Sequence, residues 1–224
     1  MSNMFSSVGT NDLTSLKAYF DGNGGGIDDL VSAVEYSYDV TPHLYAPTFV
    51  DKPRQVNPDP ALAALGFAPP PGASSMAAGT RTSAFAELVE DISLVDEQYD
   101  VVVGKRTDAY DETVVVLTAN GGISDLALYA MGLMDPADLD EMIRQMMAEE
   151  EVDVPTTTQE FSFDEVMDVT FKLVNPADYY VHDPDFDVWT DRSEDSGHVA
   201  SLVRDGVPLK VVGIVQPTGD GNAT

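Results

Sequence analysis

The chain has 224 residues, 43% of them hydrophobic, and a formal net charge of −28 from 39 acidic and 11 basic residues. A surface this acidic repels nucleic acid and anionic lipid headgroups, so we expect no nucleic-acid partner. Cysteine is absent, which excludes disulfides, thiolate metal sites and cysteine nucleophiles. No apolar run approaches the roughly 18 residues that a membrane-spanning helix needs, and no signal-peptide pattern is visible.

Residues 1–33 are predicted to form an N-terminal helical segment. A helix from Asn11 to Phe20 is followed by a glycine-rich break at residues 21–26 and a second short helix from Ile27 to Val31. The glycines are not followed by the Lys-Ser/Thr pair of a phosphate-binding loop. We therefore interpret them as a flexible link between two helices.

A core domain is predicted over residues 34–217. It opens with an alternating stretch at Val34–Val40, which is typical of a strand. Residues 68–82 are rich in Pro, Gly, Ala and Ser and are expected to form a mobile loop. The polar residues 218–224 are expected to be a disordered tail.

The stretch from Leu94 to Asp135 is predicted to organise the core. Two valine runs, Val101–Val103 and Val114–Leu117, read as strands buried on both faces. A helix then follows from Leu126 to Met131. This strand–strand–helix unit contains no reactive group, so it points to a structural role.

A second helix is predicted to begin at Asp135 and Pro136, because Asp caps free N–H groups and Pro suits the first helical position. Its apolar positions follow the period of an amphipathic helix. They are Leu139, Met142, Ile143, Met146 and Met147. We favour core packing for this stripe over an adaptable methionine-rich binding face.

The last third of the chain is predicted to alternate helices and strands. Ser162 and Glu165 have the spacing of a capping box, and residues 169–174 alternate as a strand. A helix over residues 195–204 is followed by a largely apolar strand at 207–215, which should be central in a sheet. The pattern as a whole predicts an α+β fold, a mixed sheet with packed helices.

An acidic loop is the best metal candidate. Its carboxylates occupy positions one, three, five, nine and twelve of an EF-hand spacing. They are Asp183, Asp185, Asp187, Asp191 and Glu194. Position six is Val188 where the calcium loop needs Gly, and position two is Pro184. We therefore favour an acidic, solvated loop and expect neither a bound metal nor a cofactor, with calcium binding as the weaker alternative.

No catalytic residue is predicted, since no nucleophile elbow, phosphate loop or paired-histidine motif occurs. The three histidines, His43, His182 and His198, are dispersed, and we interpret them as exposed loop residues, although a two-histidine site built with Asp183, which adjoins His182, stays open. Trp189 and Phe186 suggest a stacking platform, but we favour a tryptophan that anchors its loop to the core.

Six segments together resemble the extracytoplasmic domain of MacB-like ABC transporter permeases, in particular the large Gram-positive members of this FtsX-type family. The segments are Val34–Tyr38, Gln55–Pro58, Tyr99–Gly104, Tyr110–Leu117, Ile123–Leu133 and Leu209–Pro217. Their span covers most of the chain. Lys105, Arg106 and Thr107 replace the Arg-Trp-Pro that follows the glycine in the family, and residues 68–82 and 183–196 look variable.

The resemblance implies a MacB periplasmic-core-like fold and a non-catalytic outer domain at the extracellular face of the cell membrane. Its implied partners are the membrane helices and ATP-binding domain of a parent transporter, with a homodimer in the full assembly and a peptide, drug or lipoprotein as cargo or signal. On this reading the chain is a soluble part of a longer protein. Two alternatives stay open: a secreted or surface acidic domain that binds calcium or sugar through residues 183–194, and a cytosolic enzyme of an acidic proteome.

Overall fold

The computed structural model of the chain describes residues 12–36, 40–46, 53–60, 84–88, 92–150, 152 and 159–218. The predicted mobile loop at 68–82 and most of the predicted tail at 218–224 lie outside these residues. Within them the protein is a mixed α+β fold, as the sequence pattern predicts. In this part of the chain, no helix combines the length and apolarity that crossing a lipid bilayer requires.

The described residues form six α-helices, two 3-10 helices and eight strands. The α-helices are α1 (Leu13–Asp21), α2 (Ile92–Gln98), α3 (Asp125–Met131), α4 (Pro136–Met147), α5 (Phe163–Met167) and α6 (Ser196–Asp205). The strands are β1 (His43–Tyr45), β2 (Gln55–Asn57), β3 (Tyr99–Gly104), β4 (Glu112–Val116), β5 (Thr170–Val174), β6 (Tyr180–Asp183), β7 (Val188–Asp191) and β8 (Val207–Pro217). Two 3-10 helices cover Gly24–Asp29 and Pro176–Tyr179.

Strand β8 is the centre of a six-stranded sheet, as its apolar sequence predicts. Parallel β4 pairs along Lys210–Val215, on one edge of β8. Antiparallel β5 pairs with Val207–Lys210 and antiparallel β3 with Gly213–Pro217. Some residues of β8 that pair with β5 or β3 also pair with β4. Strands β5 and β3 must therefore lie on the edge of β8 opposite β4, where they follow one another along β8. The sheet continues from β5 through antiparallel β1 to β2.

Helices cover both faces of the sheet, one of them more completely than the other. One face meets α3 and α5 in the main core, whose centre is the fully buried Ile214. The other face is covered at one end by Val203 of α6 and at the other end by Val95 of α2. This second face is only partly covered, because Val116 next to the α2 cluster remains 42% exposed.

Local sequence signals explain where the helices begin. Asp135 accepts a hydrogen bond from the N–H of Ala137 at the start of α4, with Pro136 at the first position. At α5 both bonds of the predicted capping box are present, between the Ser162 hydroxyl and the Glu165 N–H and between the Glu165 carboxylate and the Ser162 N–H. Such caps fix the helices against the sheet.

Two predictions about burial are wrong. The valine runs do form β3 and β4, but they are not buried on both faces, since Val101 and Val102 are about 40% exposed along with Val116. Of the apolar stripe of α4, Ile143 alone is buried, and Leu139 and Met142 are only partly buried. Met146 and Met147 are more than half exposed, because α4 ends at Met147 beyond the reach of the core.

The predicted strand at 34–40 is also wrong in its described part. Residues 34–36 have no regular structure, and residues 37–39 lie outside the description. Instead, the Tyr36 hydroxyl donates to Asp21 at 2.9 Å, and the Lys17 ammonium lies 4.2 Å from the Tyr36 ring centroid. Tyr36 therefore packs against α1 rather than in the sheet, and α1 itself has no buried residue.

Candidate functional site

The acidic loop singled out by the sequence folds as a β-hairpin. Strands β6 and β7 pair with each other in a separate two-stranded sheet, with His182 opposite Trp189 and Asp183 opposite Val188. A four-residue turn at 184–187 joins them. We call residues 180–191 the hairpin. It brings four of the five predicted calcium ligands onto one protruding element.

The turn of the hairpin is fixed by its own carboxylates. Asp183 accepts hydrogen bonds from the backbone N–H groups of Asp185, at 2.9 Å, and Phe186, at 3.4 Å. Asp187 adopts the left-handed conformation with φ of 52°, which Asp tolerates better than most residues. Its carboxylate lies 3.0 Å from Nε2 of His182. These contacts hold the turn in one shape.

Two acids after the turn, Asp191 of the spacing and Asp195 outside it, accept hydrogen bonds from nearby backbone N–H groups. Asp191 accepts from the Ser193 N–H at 2.8 Å, and this bond lowers the pKa of its carboxyl. Asp195 caps α6 by accepting from the N–H groups of Gly197 and His198, and it pairs with Arg192. Glu194 is exposed.

The EF-hand spacing therefore does not produce an EF-hand loop. A strand, a turn and a second strand keep the chain extended, so the acids do not wrap around one point. Among the residues that the structure describes, no three Asp, Glu or His side chains form a group able to hold a metal ion. Position six, where a calcium loop turns sharply at Gly, is the first residue of β7, Val188.

The hairpin presents its aromatic side chains to solvent. Phe186 is 77% exposed, Trp189 64% and Tyr180 49%. The Trp189 ring lies 4.8 Å from the His182 ring between centroids, tilted by 36°. The expectation that Trp189 anchors the loop to the core is thus wrong, because its side chain is largely exposed and belongs to none of the three hydrophobic clusters of the described residues.

The root of the hairpin is buried and anchored to the sheet. Tyr179 is only 5% exposed, and its hydroxyl lies 2.7 Å from that of Tyr45 and 3.0 Å from Nδ1 of His43. The backbone N–H of Arg192 donates to the Tyr179 carbonyl at 2.9 Å. Ring nitrogen Nε2 of His198 lies 3.2 Å from the Asp178 carbonyl on the same turn.

Burial shifts the pKa values of the side chains at this root. Desolvation raises the pKa of both Tyr179 and Tyr45, so their hydroxyls stay protonated and available as donors. Desolvation lowers the pKa of His43, which keeps its ring neutral. The prediction of three exposed loop histidines therefore fails for His43, half-buried on β1, and for His198, half-buried on α6. His182 is on the hairpin and His198 on α6, so the structure does not bring the three together.

A small cavity lies beside α2. It is lined by Tyr99, Arg106, Val114 and their neighbours, and its volume of about 30 Å³ leaves room for one or two water molecules. The Arg106 guanidinium donates to the Tyr99 carbonyl at 2.8 Å. Its Nε lies 2.7 Å from Asp96 as an ion pair without hydrogen-bond geometry. These contacts give Arg106 a structural role.

Sequence reasoning identified the acids of the hairpin but missed its most distinctive property, the exposure of its aromatic residues. The signal was present for Phe186, which lies between Asp185 and Asp187 and has no adjacent apolar residue. No family model, curated protein or solved structure matches this chain.

Proposed function

We propose that the chain is the extracytoplasmic domain of an ABC transporter permease of the MacB and FtsX type, which takes part in export or mechanotransmission and is not catalytic by itself. The proposal rests on the residues that resemble this family. Its partners would be the membrane helices and ATP-binding domain of the parent transporter, and a second copy of the domain in a homodimer. The cargo or signal would be a peptide, drug or lipoprotein.

The observation that supports this proposal best is that two of the resembling segments interlock. Gly104 ends β3 with φ of +78°, and a Cβ on it would lie 2.3 Å from the Val212 carbonyl oxygen. A Cβ on Gly213 would lie 2.0 Å from the Lys105 carbonyl oxygen. The backbones at the end of β3 and in β8 approach so closely that glycine is needed at both positions, which ties two of the resembling segments into one unit.

The architecture around this unit suits a domain that transmits movement. Strand β8 touches β3, β4 and β5, so a displacement of its C-terminal end would be felt across the sheet. Its centre, at Ile214, is fully buried and close-packed, and such interiors transmit strain because they compress little. A stiff sheet with one central strand is what mechanotransmission requires.

Cysteine labelling of the native gene product in its own cells tests this proposal. The chain itself has no cysteine, so Tyr110→Cys, at an 83% exposed position, adds one label site to it, and the gene product without this substitution serves as the control for labelling elsewhere in the protein. We expect a membrane-impermeant maleimide to label Tyr110→Cys in intact cells, and an ATP-binding protein to co-purify with the membrane fraction. Labelling only after lysis would reject the extracellular location.

The absence of catalysis is part of the same proposal and has its own test. A hydrolase or transferase turnover of the purified chain that a single Asp→Asn change abolishes would overturn it. Because carboxylates are the most abundant candidate acid–base groups here, this substitution is the informative one.

A secreted or surface acidic domain remains the second candidate, favoured by the exposed Trp189 and Phe186 beside the acids of the hairpin. Such a domain would bind sugar or calcium through residues 183–194. Calorimetric titration with millimolar calcium tests the cation, and its expected result is no saturable binding. Recovery of the native protein from the culture medium without an associated ATP-binding subunit would favour this candidate over the permease.

A further inference from the structure

The hairpin carries an apolar surface that the fold leaves uncovered. Large apolar side chains are normally buried, and a compact exposed group of them marks an interaction site. Five such residues occur here within ten positions, each more than a third exposed. They are Tyr180 and Trp189 on one face of the hairpin, Val181 and Val188 on the other face, and Phe186 in the turn.

This surface is held in a defined shape before any partner arrives. Its root is fixed by the buried Tyr179 hydroxyl between Tyr45 and His43. Its turn is fixed by Asp183 and by the contact of Asp187 with His182. A surface ordered in advance loses less conformational entropy on binding, so it binds more tightly than a flexible loop of the same composition.

The charge around the apolar group selects the partner. Residues 178–195 contain seven carboxylates and one guanidinium, that of Arg192, which pairs with Asp195. The carboxylate of Asp187 is almost fully exposed, and Asp185 is exposed next to Phe186. This field repels anionic lipid, nucleic acid and a second copy of a chain with a net charge of −28. The same negative field attracts a partner that carries cationic side chains.

We propose that the hairpin is a docking surface for a basic amphipathic segment of another protein. Apolar side chains of that segment would cover Phe186 in the turn and Tyr180, which shares a face with Trp189. A Lys or Arg would lie over the exposed part of the Trp189 ring, where flanking carboxylates strengthen the attraction of a cation to an indole. The proposal concerns the hairpin alone and does not depend on whether the chain faces the outside of a membrane.

Trp189 makes the test direct, because it is the only tryptophan in the chain and its fluorescence reports on the hairpin. The full chain is titrated with an amidated twelve-residue peptide containing four Lys, four Leu and four Gly or Ser. We expect saturable change in Trp189 emission and roughly tenfold weaker binding at 300 mM than at 50 mM NaCl, since salt screens exposed charges. A peptide with Glu in place of Lys should not bind.

Matched variants separate the hairpin from the overall charge. The triple variant Asp185→Asn, Asp187→Asn and Asp191→Asn keeps the hydrogen-bond acceptors but removes three charges. Its control is the triple Asp29→Asn, Asp100→Asn and Asp205→Asn, which removes three exposed charges elsewhere. We expect the hairpin triple to weaken binding at least fivefold and the control less than twofold.

The apolar half of the proposal needs its own variant. Phe186→Ser should weaken binding about fivefold or more, as loss of a central aromatic contact does. Equal weakening by the two charge triples, or no effect of Phe186→Ser, would overturn the proposal. So would an unchanged Trp189 emission with the basic peptide, including the case in which a neutral hexasaccharide such as cellohexaose changes it instead.

Discussion

The hydroxyl groups of Tyr45 and Tyr179 lie 2.7 Å apart, although 134 residues separate them in the sequence. Tyr45 belongs to β1 of the main sheet, and Tyr179 precedes the first strand of the hairpin. Because the same Tyr179 hydroxyl also lies 3.0 Å from Nδ1 of His43, two residues of β1 hold the hairpin root. This contact is the polar link between the candidate site and the core.

Replacing Tyr179 by Phe should destabilise the protein by about 1–2 kcal/mol, because it removes a hydroxyl that contacts the buried Tyr45 and the half-buried His43 and leaves the Tyr45 hydroxyl with Gln55 alone. Urea denaturation followed by far-UV circular dichroism measures the change. Tyr110→Phe is the control, since that ring is 83% exposed and should change stability by less than about 0.5 kcal/mol. Equal effects of the two variants would contradict the anchoring role of Tyr179.

The buried position of His43 predicts a dependence of stability on pH. Burial lowers its pKa in the folded protein, whereas in the unfolded chain His titrates near 6.5. Between these two values the unfolded chain binds more protons, so the free energy of unfolding is complete above about pH 6.5 and falls as the pH drops below it. The carboxylates whose pKa is lowered remain ionised in this range.

We therefore expect a decline in stability between pH 7 and pH 5 that is shallower in His43→Gln. The slope of the free energy of unfolding against pH is the readout, so a uniform loss of stability in the variant does not confuse the result. His198→Gln serves as the comparison. An unchanged slope in His43→Gln would show that another group controls stability in this range.

The elements that depend on nearby residues were predictable from the sequence. The caps at Asp135 and Ser162 act over two or three residues, and the apolar run of β8 marks a central strand by composition alone. Burial was less predictable, because Val101 and Val116 lie in strands of the predicted type but on a sheet face that α2 covers only partly.

The candidate site also combines features that nearby residues determine with features that depend on distant ones. Its acids were found from their spacing, but that spacing is satisfied by a hairpin and a helix start as well as by a calcium loop. The exposure of Trp189 depends on the hairpin forming its own sheet, and the burial of His43 depends on Tyr179, more than 130 residues away. Such long-range contacts leave no local pattern in the sequence.

The close contact at Gly213 predicts that even one methyl group is not tolerated there. In Gly213→Ala the new Cβ would lie 2.0 Å from the Lys105 carbonyl oxygen, and both belong to backbone that the sheet fixes. We expect a loss of about 2–4 kcal/mol, or failure to accumulate as folded protein. Gly122→Ala places its Cβ 3.5 Å from Thr118 Oγ1, an ordinary contact, and should be nearly neutral in thermal unfolding.

Two adjacent acids at the start of α6 differ in role, since Asp195 caps the helix and Glu194 is exposed. Asp195 accepts hydrogen bonds from the N–H groups of Gly197 and His198, both at 3.0 Å. Asp195→Ala should therefore reduce the free energy of unfolding by about 1 kcal/mol. Glu194→Ala, which removes the last acid of the EF-hand spacing, should have little effect. A larger loss in Glu194→Ala than in Asp195→Ala would contradict the observed cap.

Finally, removing a fully buried side chain should cost much more stability than removing a largely exposed one, even when the exposed side chain is larger. Ile214 is fully buried at the centre of β8, so Ile214→Ala should cost about 2–5 kcal/mol by leaving a cavity in the main core. Trp189 is 64% exposed and contacts chiefly the His182 ring, so Trp189→Ala should cost less than about 1 kcal/mol despite removing a larger side chain. Both are measured by urea unfolding with circular dichroism, because the second variant lacks the fluorophore. If Trp189→Ala unfolded the protein as Ile214→Ala does, Trp189 would be a core residue, and the hairpin would not be free to bind a partner.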